Sequence, residues 1–271
     1  GEYVCAALLE LAVEHSFVLE GLTLGIVGHG NTGHQVEEKA KALGMQVLLN
    51  DPPRKEAAEI GDYVSLDTVL KQADVISLHV PLVQEGAHPT ENLICEASFE
   101  KMKKGAILIN ACRGEVLDSN AACVALDSGT LAHAVIDVWA PGVHVGLMKR
   151  AALVSPHVAG HSFEGKINGT IQLYQQLCAF FDLDEIWDYE PYRQSIVQDI
   201  EIPAEGSSDS LVELRELVRS CYTIRDDDRR FREAILLDSD SRKSLFKSLR
   251  ENYRTRNEFH RTVIKGKGRA S

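Results

Sequence analysis

Cysteine pairs at redox or metal spacing are missing from this chain of 271 residues. Cys5, Cys95, Cys112, Cys123, Cys178 and Cys221 are scattered, with no CxxC among them. In a chain of this length, that points to reduced cytosolic thiols rather than a disulfide scaffold. The histidines are not arranged with an acid at metal-ligand spacing, so no metal site is expected. No apolar run is long enough to span a bilayer. The opening run 3–13 carries Glu10 and lacks a basic flank, so it does not read as a signal peptide, and the Asn168-Gly169-Thr170 sequon reads as chance. Basic charge is also short. The formal net charge of -11 argues against nucleic acid or an anionic membrane as the main partner. The basic tail of Lys265, Lys267 and Arg269 is too short to change this.

What is present is a glycine-spaced turn, Gly28-His29-Gly30-Asn31-Thr32-Gly33. It follows the apolar run 24–27 and opens a helical pattern over 34–43; a second apolar run, 46–49, leads into Asp51. Strand, GxGxxG, helix, strand and acid, in that order, describe a dinucleotide-binding βαβ unit. Gly28 permits the tight turn, Gly30 lets backbone approach a pyrophosphate, and Gly33 lets helix and strand pack closely. The helix N-terminus offers free amides to the anion. Asp51 would accept hydrogen bonds from a ribose and repel a 2′-phosphate, favouring NAD over NADP, with Arg54 close enough in sequence to blur the choice. The competing reading is a glycine-rich turn that binds nothing.

Further buried strands are predicted over 75–79, 106–110, 134–138 and 153–156, alternating with helices over 66–72, 98–103 and 120–127. Continuous apolar strands separated by helices mean a doubly wound parallel α/β sheet. Helices are also expected over 2–15 and 165–181. A boundary near 184–190 separates an NAD-binding domain, 1–184, from a smaller C-terminal α/β domain, 185–271. The latter reads as a loop with Pro191, Pro203 and 205–208, then charged helices over 209–221 and 241–253, with a turn through Asp226-Asp227-Asp228 between them.

Three polar groups fall at the carboxyl ends of the later strands, where open α/β sheets place ligands. They are Arg113, Asp137 and His157. Arg113 suits a bidentate carboxylate contact, and His157 suits proton transfer at a hydroxyl carbon. Taken singly, each reads as an ordinary loop residue.

Together the motifs resemble the D-2-hydroxyacid dehydrogenase superfamily: the Gly28–Gly33 turn with Asp51, then Asn110-Ala111-Cys112-Arg113-Gly114, then Pro156-His157-Val158-Ala159-Gly160. Asn50-Asp51-Pro52-Pro53-Arg54, Asp137-Val138-Trp139, Glu164-Gly165-Lys166 and the stretches 211–218, 222–228 and 246–256 are similar to the erythronate-4-phosphate dehydrogenase family. The C-terminal stretches look like that family's small dimerisation domain. The resemblance implies a Rossmann-type, NAD-dependent, cytoplasmic homodimer of vitamin B6 biosynthesis. Its substrate would be a small phosphorylated hydroxy acid, 4-phospho-D-erythronate, oxidised to the 2-oxo acid. It assigns Arg113 to the substrate carboxylate and His157 to acid/base work. His161 would touch substrate, at a position where the family usually has tyrosine. It assigns Asn31 and Thr32 to the pyrophosphate, Asp51 to the ribose and Asp137 to the nicotinamide carboxamide. Val80, Ala111, Cys112 and Gly160 are further cofactor contacts.

Two departures accompany the resemblance. The family's glutamate, which supports the catalytic histidine, is Gly142 here, and no acid occurs from 138 to 159. Losing a carboxylate partner would lower the His157 pKa and loosen its orientation; Glu115 and Glu164 are the acids that would stand in. The chain also opens inside the helix that leads into the family's nucleotide domain. A substrate lobe of roughly a hundred residues, the size of a domain, is then outside this sequence. Apolar faces of 2–15 and 165–181 would be left exposed. Two other readings stay open: a catalytically weakened NAD-binding protein, and a dehydrogenase of another D-2-hydroxy acid such as 3-phosphoglycerate.

Overall fold

Runs of β-branched and aliphatic residues, buried on both sides, pair into one parallel sheet. A computed structural model describes residues 1–58, 61–194, 198–202 and 210–266. The elements begin α1 (Glu2–Glu14), β1 (Thr23–Val27), α2 (Asn31–Ala42), β2 (Gln46–Asn50), α3 (Pro52–Glu56), α4 (Leu66–Gln72) and β3 (Val75–Leu78). They continue with α5 (Glu96–Phe99), β4 (Ala106–Asn110), α6 (Ser119–Ser128), β5 (Leu131–Ile136), α7 (Val145–Arg150), β6 (Leu153–Val154) and α8 (Phe163–Phe181). After α9 (Glu190–Gln194) come β7 (Gln198–Ile202), α10 (Ser210–Cys221), α11 (Ile224–Arg232), α12 (Ser239–Glu251) and β8 (Thr262–Gly266). The strand order is β2-β1-β3-β4-β5-β6, all parallel, and β7 pairs with β8 in a separate parallel pair. The order reverses between β1 and β3, which places a ligand crevice outside the carboxyl end of β1, where the glycine turn sits.

Several elements depart from the sequence reading. The helix α3, not expected from the sequence, opens on Pro52 and Pro53, because proline needs no N–H partner in a first helical turn and the Asp51 side chain caps that turn. The helix expected over 98–103 is the short α5 followed by turns. α7 was not foreseen; His144 caps it by accepting the Leu147 N–H at 3.0 Å. The acidic turn expected at 226–228 lies inside α11. That helix shows few apolar residues, but Phe231 is fully buried against Trp139 and Phe246, with ring centroids 5.6 and 5.7 Å away. Asp228 accepts the Val154 N–H at 2.8 Å and pairs with Arg232, which donates to the Met148 and Ala151 carbonyls at 2.8 Å. Polar groups thus dock α11 on the end of the sheet, a form of burial that hydrophobic periodicity does not register. Pro203 and residues 205–208 lie outside the described residues.

The expectation for 2–15 is overturned. α1 is covered within the chain by α2, α10 and α11, and Tyr3, Leu8, Leu9 and Leu11 are buried. Glu10 on α1 forms a two-point ion pair with Arg219 of α10, at 2.6 Å for each contact. By contrast, α8 does present an open apolar face, with Leu173, Leu177, Phe180 and Phe181 all more than half exposed or at half.

Candidate active site

The glycine turn is built by close approach. Gly28 has φ +93°, and a Cβ there would lie 2.7 Å from the His79 carbonyl and 2.9 Å from Val80. Only glycine meets both conditions. At Gly30, a Cβ would meet nothing within 4 Å. The α2 N-terminus has no side-chain cap, so its first-turn amides remain open to an anion. Around the turn lies a cleft of about 1130 Å³, bordered by Gly30, Asn31, Thr32, His79, Ala111 and Gly160, among others. An uncapped helix start, an open glycine surface and an orphaned buried nitrogen, His79 Nδ1, fit a dinucleotide.

Asp51 follows β2. Its carboxylate accepts the His29 N–H at 2.8 Å and the Arg54 N–H at 3.2 Å, so it braces the turn. His29 is held by Glu37 at 2.7 Å and Tyr63 at 3.2 Å. His29, His34 and Glu37 bring three possible metal-ligand atoms within 4.8 Å of one another, a grouping that sequence spacing did not reveal, and Glu37 is also paired with Lys41 at 2.6 Å. His157 and His161 are four apart in sequence, yet they sit in a turn and not on one helix face.

Asp137, which the resemblance assigns to the nicotinamide carboxamide, is fully buried. It accepts Ser155 Oγ–H at 2.6 Å, the Val158 N–H at 2.7 Å and the Ala159 N–H at 3.0 Å, and its backbone carbonyl accepts the His157 N–H at 2.7 Å. Tyr3 of α1 extends the chain, its hydroxyl 2.6 Å from Ser155 Oγ. Asp137 therefore clamps the turn that carries His157. That turn needs a clamp, because His157 has φ +62°, a region costly for a side chain with a Cβ. Burial pushes the Asp137 carboxyl up, opposed by the Ser155, Val158 and Ala159 hydrogen bonds and by His157.

His157 is half-buried, and its ring makes no hydrogen bond among the described residues. Desolvation lowers its pKa; Asp137 opposes this, and the Arg250 and Arg113 guanidiniums reinforce it. Asp137 is thus the carboxylate that acts on His157. Glu164 is occupied elsewhere, accepting the Glu258 N–H at 2.8 Å, and Glu115 borders a second cleft together with Gly142. Arg113 is exposed, donates to its neighbour's carbonyl, Cys112 O, at 2.7 Å, and has no carboxylate partner among the described residues. Cys112 is buried, hydrogen-bonded to Asn110 Oδ1 at 3.2 Å, and burial pushes its thiol up to about 11. Cys112 belongs to the core of the sheet's face, and the half-buried Val80 packs against it. The His161 ring meets Tyr253 at 5.5 Å, and desolvation lowers its pKa to about 4. Sequence reasoning missed His79 and Tyr3; the signals were a polar residue closing an otherwise apolar strand and a tyrosine in a helix with little other polarity.

Residues 11–159 match the family model for the NAD binding domain of D-isomer specific 2-hydroxyacid dehydrogenases. Curated relatives named erythronate-4-phosphate dehydrogenase include that of Pseudoalteromonas atlantica, 38% identical over 95% of this chain and 68% of its own length. That of Salinibacter ruber is 39% identical over 98% of this chain and 70% of its own. The chain belongs to the erythronate-4-phosphate dehydrogenase family. Within the wider superfamily, the NAD-complexed D-isomer specific 2-hydroxyacid dehydrogenase of Lactobacillus delbrueckii ssp. bulgaricus is 30% identical, with a TM-score of 0.52 over 68% of this chain and 65% of that one. An NAD-dependent formate dehydrogenase from Staphylococcus aureus, solved with NAD, is 27% identical with a TM-score of 0.52 over 66% of this chain and 54% of that one. Residues 197–271 match a domain of unknown function. Membership in this family accounts for the parallel sheet, the glycine turn and an NAD site at the switch point. No helix among the described residues is long and apolar enough to cross a membrane.

Proposed function

We propose that this chain carries the NAD site and the reacting residues for oxidation of 4-phospho-D-erythronate at its C2 hydroxyl. The observation that carries this is that an acid-free guanidinium, Arg113, and a half-buried imidazole, His157, follow β4 and β6 at the carboxyl end of the sheet, close enough for the Arg113 charge to act on the ring, while their neighbours Ala111, Ala159 and Gly160 border the glycine-turn cleft. The first-turn amides of α2, with Asn31 and Thr32, would hold the pyrophosphate, and Asp51 the ribose. When bound, NAD supplies the hydride acceptor. Arg113 fixes the substrate carboxylate by a two-point contact and aligns C2. His157, neutral because of desolvation and the neighbouring guanidiniums, accepts the hydroxyl proton on a ring nitrogen. Asp137 holds that ring's backbone in place and favours the imidazolium as it forms.

The reading includes a homodimer in which residues 185–271 form the dimerisation domain and 1–184 the NAD-binding domain. It also includes a cytoplasmic setting, supported by six free cysteines. Mixing the chain with NAD and 4-phosphoerythronate and following NADH absorbance tests the activity; no turnover above a His157→Ala control overturns it. Light scattering tests the dimer against the chain mass of 29.9 kDa.

A further inference from the structure

The segment that follows α12 abuts the loop that bears His157. Tyr253 meets the His161 ring edge-on at 5.5 Å, and Arg256 donates to the Ala159 carbonyl at 3.0 Å. Arg250 lies on the last turn of α12, just before this segment. Its guanidinium carbon lies 5.4 Å from the Phe246 ring centroid, and its Nε is buried without a hydrogen-bond partner. No carboxylate pairs with it among the described residues. Neighbouring arginines differ: Arg254 faces Asp226 and Asp227, Arg256 faces Glu2, and Arg261 faces Glu164. A partly desolvated guanidinium without an acid is costly unless an anion arrives to meet it. Its charge reaches both His157 and His161, disfavouring protonation of each.

We propose that Arg250 binds the second anionic group of a doubly anionic substrate, the phosphate, while Arg113 takes the carboxylate. The C-terminal helix α12 then reads the feature that separates a phosphorylated hydroxy acid from a simple one. The substrate in this inference rests on the dehydrogenase reading above; the anion site itself does not.

Two measurements on the full chain separate them. The first is proton NMR titration of the histidines with and without inorganic phosphate. Phosphate neutralises Arg250 and raises the midpoints of His157 and His161; in Arg250→Ala both midpoints ignore phosphate, and Arg250→Lys restores part of the response. The second is turnover of 4-phosphoerythronate against erythronate. Arg250→Ala lowers the preference for the phosphorylated substrate about 30-fold, mainly through KM, as expected for one charge-assisted contact. Wild-type midpoints that ignore phosphate, or equal losses on both substrates, overturn the proposal. A phosphate response lost in Arg250→Ala, in a chain that oxidises neither compound, keeps the anion site and rejects the dehydrogenase reading instead.

Discussion

The Asp137 carboxylate accepts the Val158 N–H at 2.7 Å, and this ties the turn of His157 to the end of β5. The same oxygen takes the Ser155 hydroxyl, and the other takes the Ala159 N–H. The imidazole proposed to move a proton therefore sits on backbone held by one buried acid.

Asp137→Asn keeps the size but replaces an acceptor oxygen with a donor nitrogen, leaving at least one of these buried groups unmatched. Thermal denaturation is expected to show a loss of about 1–3 kcal/mol. The rate should fall at least 100-fold, because His157 is no longer held or balanced by charge. Unchanged stability would show that the clamp carries no weight.

The pH dependence of oxidation follows from the lowered His157 pKa. Desolvation first, with Arg250 and Arg113 adding to it, holds the ring below its ordinary value of 6.5 against the pull of Asp137. The base is neutral above that pKa, so the acid limb of kcat/KM in the free enzyme should be centred below pH 6.5. An acid limb centred above 6.5 would mean that a carboxylate dominates the ring's environment.

His79 is expected to make the fold acid-sensitive. Desolvation lowers its pKa from 6.5 to about 3, and Ser77 Oγ lies 2.8 Å from Nε2. The folded state keeps the ring neutral while the unfolded state takes a proton below 6.5. This contribution is therefore fully present above 6.5 and is lost as pH falls toward 3, by at most about 1.4 kcal/mol per pH unit. Denaturant titrations of His79→Gln between pH 7 and 5 should show a flatter profile than wild type; parallel profiles would exclude the assignment.

Gly142→Glu restores the acid that relatives' patterns lead one to expect. A side chain there meets no steric obstacle, but φ is +103°, so the substitution should cost about 1 kcal/mol or more. Gly142 borders the second cleft with Glu91, Glu115 and Arg242. The pH–rate profile should accordingly stay where it is. An acid limb shifted upward with a higher kcat would show the 138–144 loop delivering the new carboxylate to His157.

Most of the sheet was legible because each strand announces itself locally. Residues 106–110 are buried throughout, and the glycine turn is specified by steric limits that act over a few bonds. The site was legible as a set of residue types at strand ends, with Arg113 and His157 brought to the same charged neighbourhood. The role of Asp137 was not, since its partners Ser155, Val158 and Ala159 come from another strand end. α11 was misread because its burial rests on Asp228 and Arg232 matching backbone groups 74 to 84 residues away, which no local periodicity encodes.

Local chemistry in this chain therefore determined the βαβ unit, the turn that approaches a diphosphate and the candidate proton carrier, because backbone dihedrals and short-range amide geometry depend on neighbouring residues. Tertiary structure alone decided that α1 is covered, that Asp137 serves a turn, and that Arg250 stands without an acid beside His157 and His161. Those outcomes depend on which charges and hydrogen-bonding groups meet after distant segments fold together, and on how much water is removed when they do.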